Sequence, residues 1–120
     1  MAMAKCLVTG GAGFIGSHLT DELVKKGHRV VIIDNLSTGE KARLNPKAKF
    51  YRLDIRHPGR IKPLFTGMDW VFHLAAFPRV QPSIENPFLS HDINLNGTLN
   101  VLMAARDASV KKFIYSASSS

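Results

Sequence analysis

The feature that most restricts this chain is Thr9-Gly10-Gly11-Ala12-Gly13-Phe14-Ile15-Gly16-Ser17. It stands between an apolar run, Cys6-Leu7-Val8, and an amphipathic pattern from Ile15 to Val24. Strand, glycine turn and helix in that order form the context in which such a pattern holds nucleotide phosphates. Three glycines have separate physical tasks. One lets the chain reverse with positive φ, one lets the backbone come close to a diphosphate, and one lets the helix pack near the strand. The helix then opens with unpaired N–H groups and the positive end of its dipole toward the anion. The spacing reads two ways, as Gly11-x-Gly13-x-x-Gly16 or as the wider Gly10-x-x-Gly13-x-x-Gly16. Both imply a dinucleotide; the bland alternative is a glycine-rich turn with no ligand.

A second segment argues against that alternative. Arg29-Val30-Val31-Ile32-Ile33 is a continuous apolar run of the kind a parallel strand covered on both faces requires. It ends at Asp34, eighteen residues after Gly16. A dinucleotide fold places an acidic side chain near that point against the adenosine ribose. A carboxylate there accepts from both ribose hydroxyls and repels a 2′-phosphate, so NAD is expected in preference to NADP. Asp34 also suits a turn or helix cap, since Asp34-Asn35 and Ser37-Thr38-Gly39 are good turn formers.

The remaining chain repeats the alternation. Strand one covers about Ala4 to Thr9, and helix one about Phe14 to Lys26, with Ile15, Leu19 and Leu23 as its apolar stripe and Gly27 as its stop. Ser37 to Pro46 reads as loop or short helix, strand three as Lys49 to Leu53, and a short helix follows Pro58 to about Phe65. Strand four is Trp70 to Leu74, ending at Ala75-Ala76, whose small side chains admit a flat ring close to the backbone. His73 lies within that apolar run and is expected to be a satisfied core histidine. Asn86-Pro87 opens a helix to about Asp107, with Leu95, Leu99 and Leu102 as its stripe. Strand five is Lys112 to Tyr115, leading into Ser116-Ala117-Ser118-Ser119-Ser120. Five strands alternating with helices over short connections imply an α/β fold, a doubly wound parallel sheet of Rossmann type with helices on both faces. Ligands in such folds sit at the carboxyl ends of the strands.

Composition narrows the rest. The chain has 120 residues, 45% hydrophobic and 21% charged, which allows one domain, here residues 1–120. The single cysteine, Cys6, cannot form an internal disulfide and reads as an inert core thiol. No secretory signal or membrane-length apolar run is visible, so the expected address is the cytoplasm and no membrane partner is expected. The formal charge is +7. Much of it lies between Lys41 and Lys62, where eight basic residues accompany only Asp54. Such a face suits either a nucleic acid or plain solvation beside an anionic cofactor; no aromatic interleaving or nucleic-acid motif accompanies it, which disfavours the nucleic acid. No metal spacing is present, and no metal is expected.

In this order the segments resemble the extended short-chain dehydrogenases/reductases, specifically their NAD-dependent epimerase/dehydratase group. The opening Thr9 to Leu19 is similar to that group's first motif. Asp34-Asn35-Leu36-Ser37-Thr38-Gly39 resembles its ribose-binding segment and Asp54-Ile55 its adenine-contacting pair. His73-Leu74-Ala75-Ala76 resembles the stretch beside the middle of the cofactor, and Asn94-Leu95-Asn96-Gly97-Thr98 the helix motif that braces the nicotinamide end. The resemblance implies that Gly10, Gly13, Phe14, Ile15, Gly16, Asp34, Asn35, Leu36, Ser37, Thr38, Gly39, Asp54, Ile55, Leu74, Ala75, Ala76 and Asn94 bind NAD. It implies a catalytic hydroxyl at Ser118, or at Ser119 if the register shifts by one. Ala117 stands where many relatives carry serine.

The family's proton-transfer tyrosine belongs to a Tyr-x-x-x-Lys motif. Tyr51 and Tyr115 are followed four residues on by Ile55 and Ser119, so neither fits. The expectation is therefore the amino-terminal part of an enzyme, short of its last strands and its substrate lobe. The resemblance implies a nucleotide-sugar epimerase similar to UDP-glucose 4-epimerase, acting on a nucleotide-diphosphate sugar as a homodimer. The alternatives are a nucleotide-sugar 4,6-dehydratase and a non-enzymatic dinucleotide-binding or redox-sensing module. A serine hydroxyl without a base is a poor proton acceptor, so the 120 residues alone are expected to be inactive.

Overall fold

The five apolar runs become strands in the computed structural model, which describes residues 3–36, 41–74 and 96–115. They are β1 (Lys5–Thr9), β2 (Arg29–Ile33), β3 (Lys49–Tyr51), β4 (Trp70–His73) and β5 (Lys112–Tyr115). All pair in parallel, in the order β3-β2-β1-β4-β5. β1 is therefore central, and Cys6, Leu7, Val8 and Thr9 are wholly buried. Burial, aided by the charge of Asp69, pushes the Cys6 thiol up to about 11, as an inert core thiol requires.

Helix α1 (Phe14–Lys25) joins β1 to β2, and a 3-10 turn (Lys41–Arg43) lies between β2 and β3. Helix α2 (Pro58–Ile61) runs on as a 3-10 turn (Lys62–Phe65), and α3 (Thr98–Asp107) precedes β5. Side chains alternate across the sheet and build two cores. Leu7, Ile33 and Val71 meet Ile61, Phe65, Val101, Ala104 and Ala105 on one face. Cys6, Val8, Val30 and Ile32 meet Leu23 and Ala4 on the other. The doubly wound sheet is thus present, and no helix among the described residues is long and apolar enough to cross a membrane.

Three details differ from the sequence-based expectation. In α1 the buried residues are Gly16, Ser17, Thr20 and Leu23, while Ile15 is 65% exposed. The small residues turn inward because the helix start lies against the β1 turn. In α3 the buried face is Val101, Ala104 and Ala105; Leu99, Leu102 and Met103 point outward. Leu95 and the helix start expected at Pro87 lie outside the described residues. Finally, β3 ends at Tyr51, and Leu53 packs against the first core from beyond the strand.

Candidate functional site

The turn after β1 is built by backbone alone. The Gly10 N–H donates to the Ile33 carbonyl at 2.8 Å, tying the turn to the end of β2. Gly10 has φ +77, a left-handed conformation that suits glycine. The Gly13 N–H then donates back to the Gly10 carbonyl at 3.1 Å. A Cβ on Gly16 would overlap that same Gly10 carbonyl, so helix and turn touch only because Gly16 has no side chain. Gly16, common to both readings of the spacing, and Gly10, of the wider one, are each required by this packing. Gly11 answers a different demand: its Cβ would lie 2.5 Å from Ile32 Cγ2. Gly13 caps α1 in an extended conformation with no side-chain cap bond. The opening N–H groups of α1, at Phe14 and Ile15, have no carbonyl within the helix to receive them.

Asp34 leaves β2 beside this turn and is buried. Its Oδ2 accepts from the Ala12 N–H at 3.0 Å and its Oδ1 from the Leu36 N–H at 2.7 Å. The carboxylate therefore orders the glycine turn and the following segment together, where Leu36 is bent to φ +63. Each carboxylate oxygen has a second lone pair for a further donor. Asn35 Nδ2 reaches Asp54 Oδ2 at 3.5 Å, linking this segment to the one after β3. Asp54 is gripped by Arg56, whose Nη2 lies 2.6 Å from Oδ2. The Arg56 side-chain hydrogen bonds hold the carboxyl below its ordinary range, against the opposing effect of burial. Lys62 pairs with Asp107 at 3.4 Å, so acids elsewhere in the chain also meet this basic segment.

At the end of β4, His73 is fully buried. Its Nδ1 lies 2.8 Å from Thr9 Oγ1 and its Nε2 2.8 Å from Thr98 Oγ1. A neutral ring, one nitrogen accepting and the other donating, satisfies both hydroxyls. Thr9 Oγ1 also accepts from the Leu74 N–H at 2.9 Å. The histidine is thus a satisfied core group that ties β1, β4 and α3 together. Among the described residues no group of three or more His, Cys, Asp or Glu side chains could hold a metal.

The structure brings Gly10, Gly13, Phe14, Ile15, Gly16, Asp34, Asn35, Leu36, Asp54, Ile55 and Leu74 to the carboxyl end of the sheet, around the point where strand order reverses. Ser37, Thr38, Gly39, Ala75, Ala76, Asn94, Ser118 and Ser119 lie outside the described residues. Three contacts escape sequence reasoning: the Ala12 N–H to Asp34, Thr98 to His73, and Asn100 Nδ2 to the Ile55 carbonyl at 2.9 Å. Only the helical spacing of Gly97 and Asn100, three residues apart, hints that they share a face. A dinucleotide fits what is present: a turn without side chains, unpaired helix N–H groups, and a buried carboxylate one strand away.

Comparison with known proteins agrees with this geometry. The model of the NAD dependent epimerase/dehydratase family matches residues 6–120. A UDP-glucose 4-epimerase of Lactobacillus helveticus is 41% identical over 116 residues, covering 95% of this chain and 35% of its own. The chain superposes on a UDP-glucose 4-epimerase of Thermotoga maritima crystallised with UDP-glucose, with TM-score 0.89 and 41% identity over 92% of this chain and 37% of that one. The Thermus thermophilus UDP-glucose 4-epimerase in complex with NAD gives TM-score 0.85 and 40% identity over 91% and 36%. The chain spans little more than a third of the length of each of these proteins.

Proposed function

The chain belongs to the NAD-dependent epimerase/dehydratase family, and from that premise we propose that it forms the NAD-holding part of a nucleotide-sugar 4-epimerase of the UDP-glucose type. The observation that carries this reading is the Asp34 carboxylate, buried beside the glycine turn and already ordering it through the Ala12 N–H. NAD, when bound, supplies a hydride acceptor for a sugar carbon and returns the hydride afterward. The residues of this chain hold and orient it. Gly10, Gly13 and Gly16, with the Phe14 and Ile15 N–H groups, receive the diphosphate. Asp34 receives the ribose hydroxyls and rejects a 2′-phosphate, with Asn35 to Gly39 beside it. Asp54 and Ile55 meet the adenine. Leu74, Ala75 and Ala76 line the middle of the cofactor, and Asn94 braces its far end.

In this reading Ser118 positions the sugar oxygen but takes no proton, because a serine hydroxyl needs a base partner at neutral pH. Neither tyrosine of the chain is followed by lysine four residues on. The 120 residues by themselves therefore bind NAD without turning over a sugar. The whole protein acts on a nucleotide-diphosphate hexose, in the cytoplasm, as a homodimer. Epimerase is preferred to dehydratase because the relatives described above are UDP-glucose 4-epimerases. Calorimetric titration with NAD, run beside an assay for UDP-galactose conversion, tests this. Saturable binding with one site and no conversion is expected; conversion, or no binding, contradicts it.

A further inference from the structure

The segment between β3 and α2 carries Asp54 and Ile55 but belongs to neither element, so something else must fix its position. Asp54 is tied locally by Arg56 and across to Asn35. Ile55 is tied from a distant helix. Asn100 Nδ2, on the first turns of α3, donates to the Ile55 carbonyl at 2.9 Å, across 45 residues of sequence. One turn earlier, Gly97 packs against the Ile55 side chain so closely that a Cβ there would lie 2.6 Å from Ile55 Cδ1. Ile55 is buried, and its carbonyl is bonded in a partly buried contact. Gly97 and Asn100 share one face of the helix and grip Ile55 by its side chain and by its backbone.

We propose that Asn100 is a positioning residue for the adenine end of the dinucleotide site, holding the Asp54-Ile55 segment at the height where the base meets it. This rests on the reading that the site takes NAD with its adenine against Asp54-Ile55. The Asp54 carboxylate is an acceptor. Adenine presents an amino donor to it, whereas hypoxanthine presents a carbonyl oxygen at that place, so that one acceptor faces another. Base preference therefore reports where Asp54 stands. Losing the Asn100 amide frees the Ile55 carbonyl to seek water, and the segment shifts. The same helix also bonds His73 through Thr98, so α3 braces both the segment after β3 and the end of β4.

The test compares NAD with nicotinamide hypoxanthine dinucleotide by calorimetry on the 120-residue chain, with the urea midpoint recorded for each variant. The unchanged chain should prefer NAD by roughly tenfold, the scale of one hydrogen bond to a charged group. In Asn100→Ala that ratio should fall below about threefold. Asn100→Asp keeps the side-chain shape while replacing the donor with an acceptor. It should lose the preference as well, and it serves if the alanine variant does not fold. A ratio kept in a folded variant, even with both affinities lowered equally, overturns the positioning role. So does an unchanged chain that binds both dinucleotides alike. An unchanged chain that binds neither overturns the NAD reading itself.

Discussion

His73 shows how far the fold alters a single side chain. The ring is fully buried, bonded to Thr9 and Thr98, and stacked on Tyr115 at 5.4 Å between centroids. Burial lowers its pKa from 6.5 to about 4, since a charged imidazolium there would lose its hydration. The unfolded chain takes up this proton near pH 6.5 and the folded chain only near pH 4, so between those values the unfolded state holds more protons. The stability from a neutral His73 is complete above about pH 6.5 and declines as pH falls toward 4, by about 3 kcal/mol in all. Urea denaturation at pH 7 and pH 4 should show that loss, and His73→Gln should remove most of it. An equal slope in the variant would contradict the assignment. Asp54 acts in another window. Its pKa is lowered by Arg56, so its contribution is complete above the ordinary carboxylate range and is lost progressively as pH falls through that range toward the lower folded value.

The two long helices show what periodicity can and cannot settle. The strands were legible because buried parallel strands read as unbroken apolar runs, and β2 and β5 match their sequence limits. The glycine turn and Asp34 were legible because their spacing answers a geometric demand. The inward face of α1 was legible in part, since Leu23 is buried and Leu19 packs on the second core while Ile15 is exposed; that of α3 was not. A stripe such as Ile15-Leu19-Leu23 or Leu99-Leu102 states that an apolar face exists, not what it faces. Close packing at Gly16 and at Gly97 instead turns small residues inward: Thr20 in α1, and Ala104 and Ala105 in α3. Side-chain bonds to distant backbone, such as Asp34 to Ala12 and Asn100 to Ile55, leave no local trace at all. The α3 assignment has a direct check by chemical denaturation. Leu102→Lys should change the stability of the chain by less than about 0.5 kcal/mol, while Val101→Ala should cost about 2 kcal/mol. The reverse order would restore the stripe suggested by the sequence.

At the scale of the molecule, five parallel strands reverse their order on either side of β1. The crevice opens at the carboxyl ends of β1 and β4, and Asp34 at the end of β2 stands beside the glycine turn. A chain spanning little more than a third of its relatives' length still contains this whole corner. The central claim is that the corner holds a dinucleotide whose adenosine ribose carries free hydroxyls. The most direct test is the ratio of NADP to NAD dissociation constants, measured for the unchanged chain and for Asp34→Ala. The unchanged chain should bind NAD more tightly by roughly 30-fold or more, from the hydroxyl hydrogen bonds gained and the phosphate repelled. Asp34→Ala should bring that ratio to within about threefold of unity. Equal affinities in the unchanged chain, or a preference that survives the loss of the carboxylate, would contradict the account.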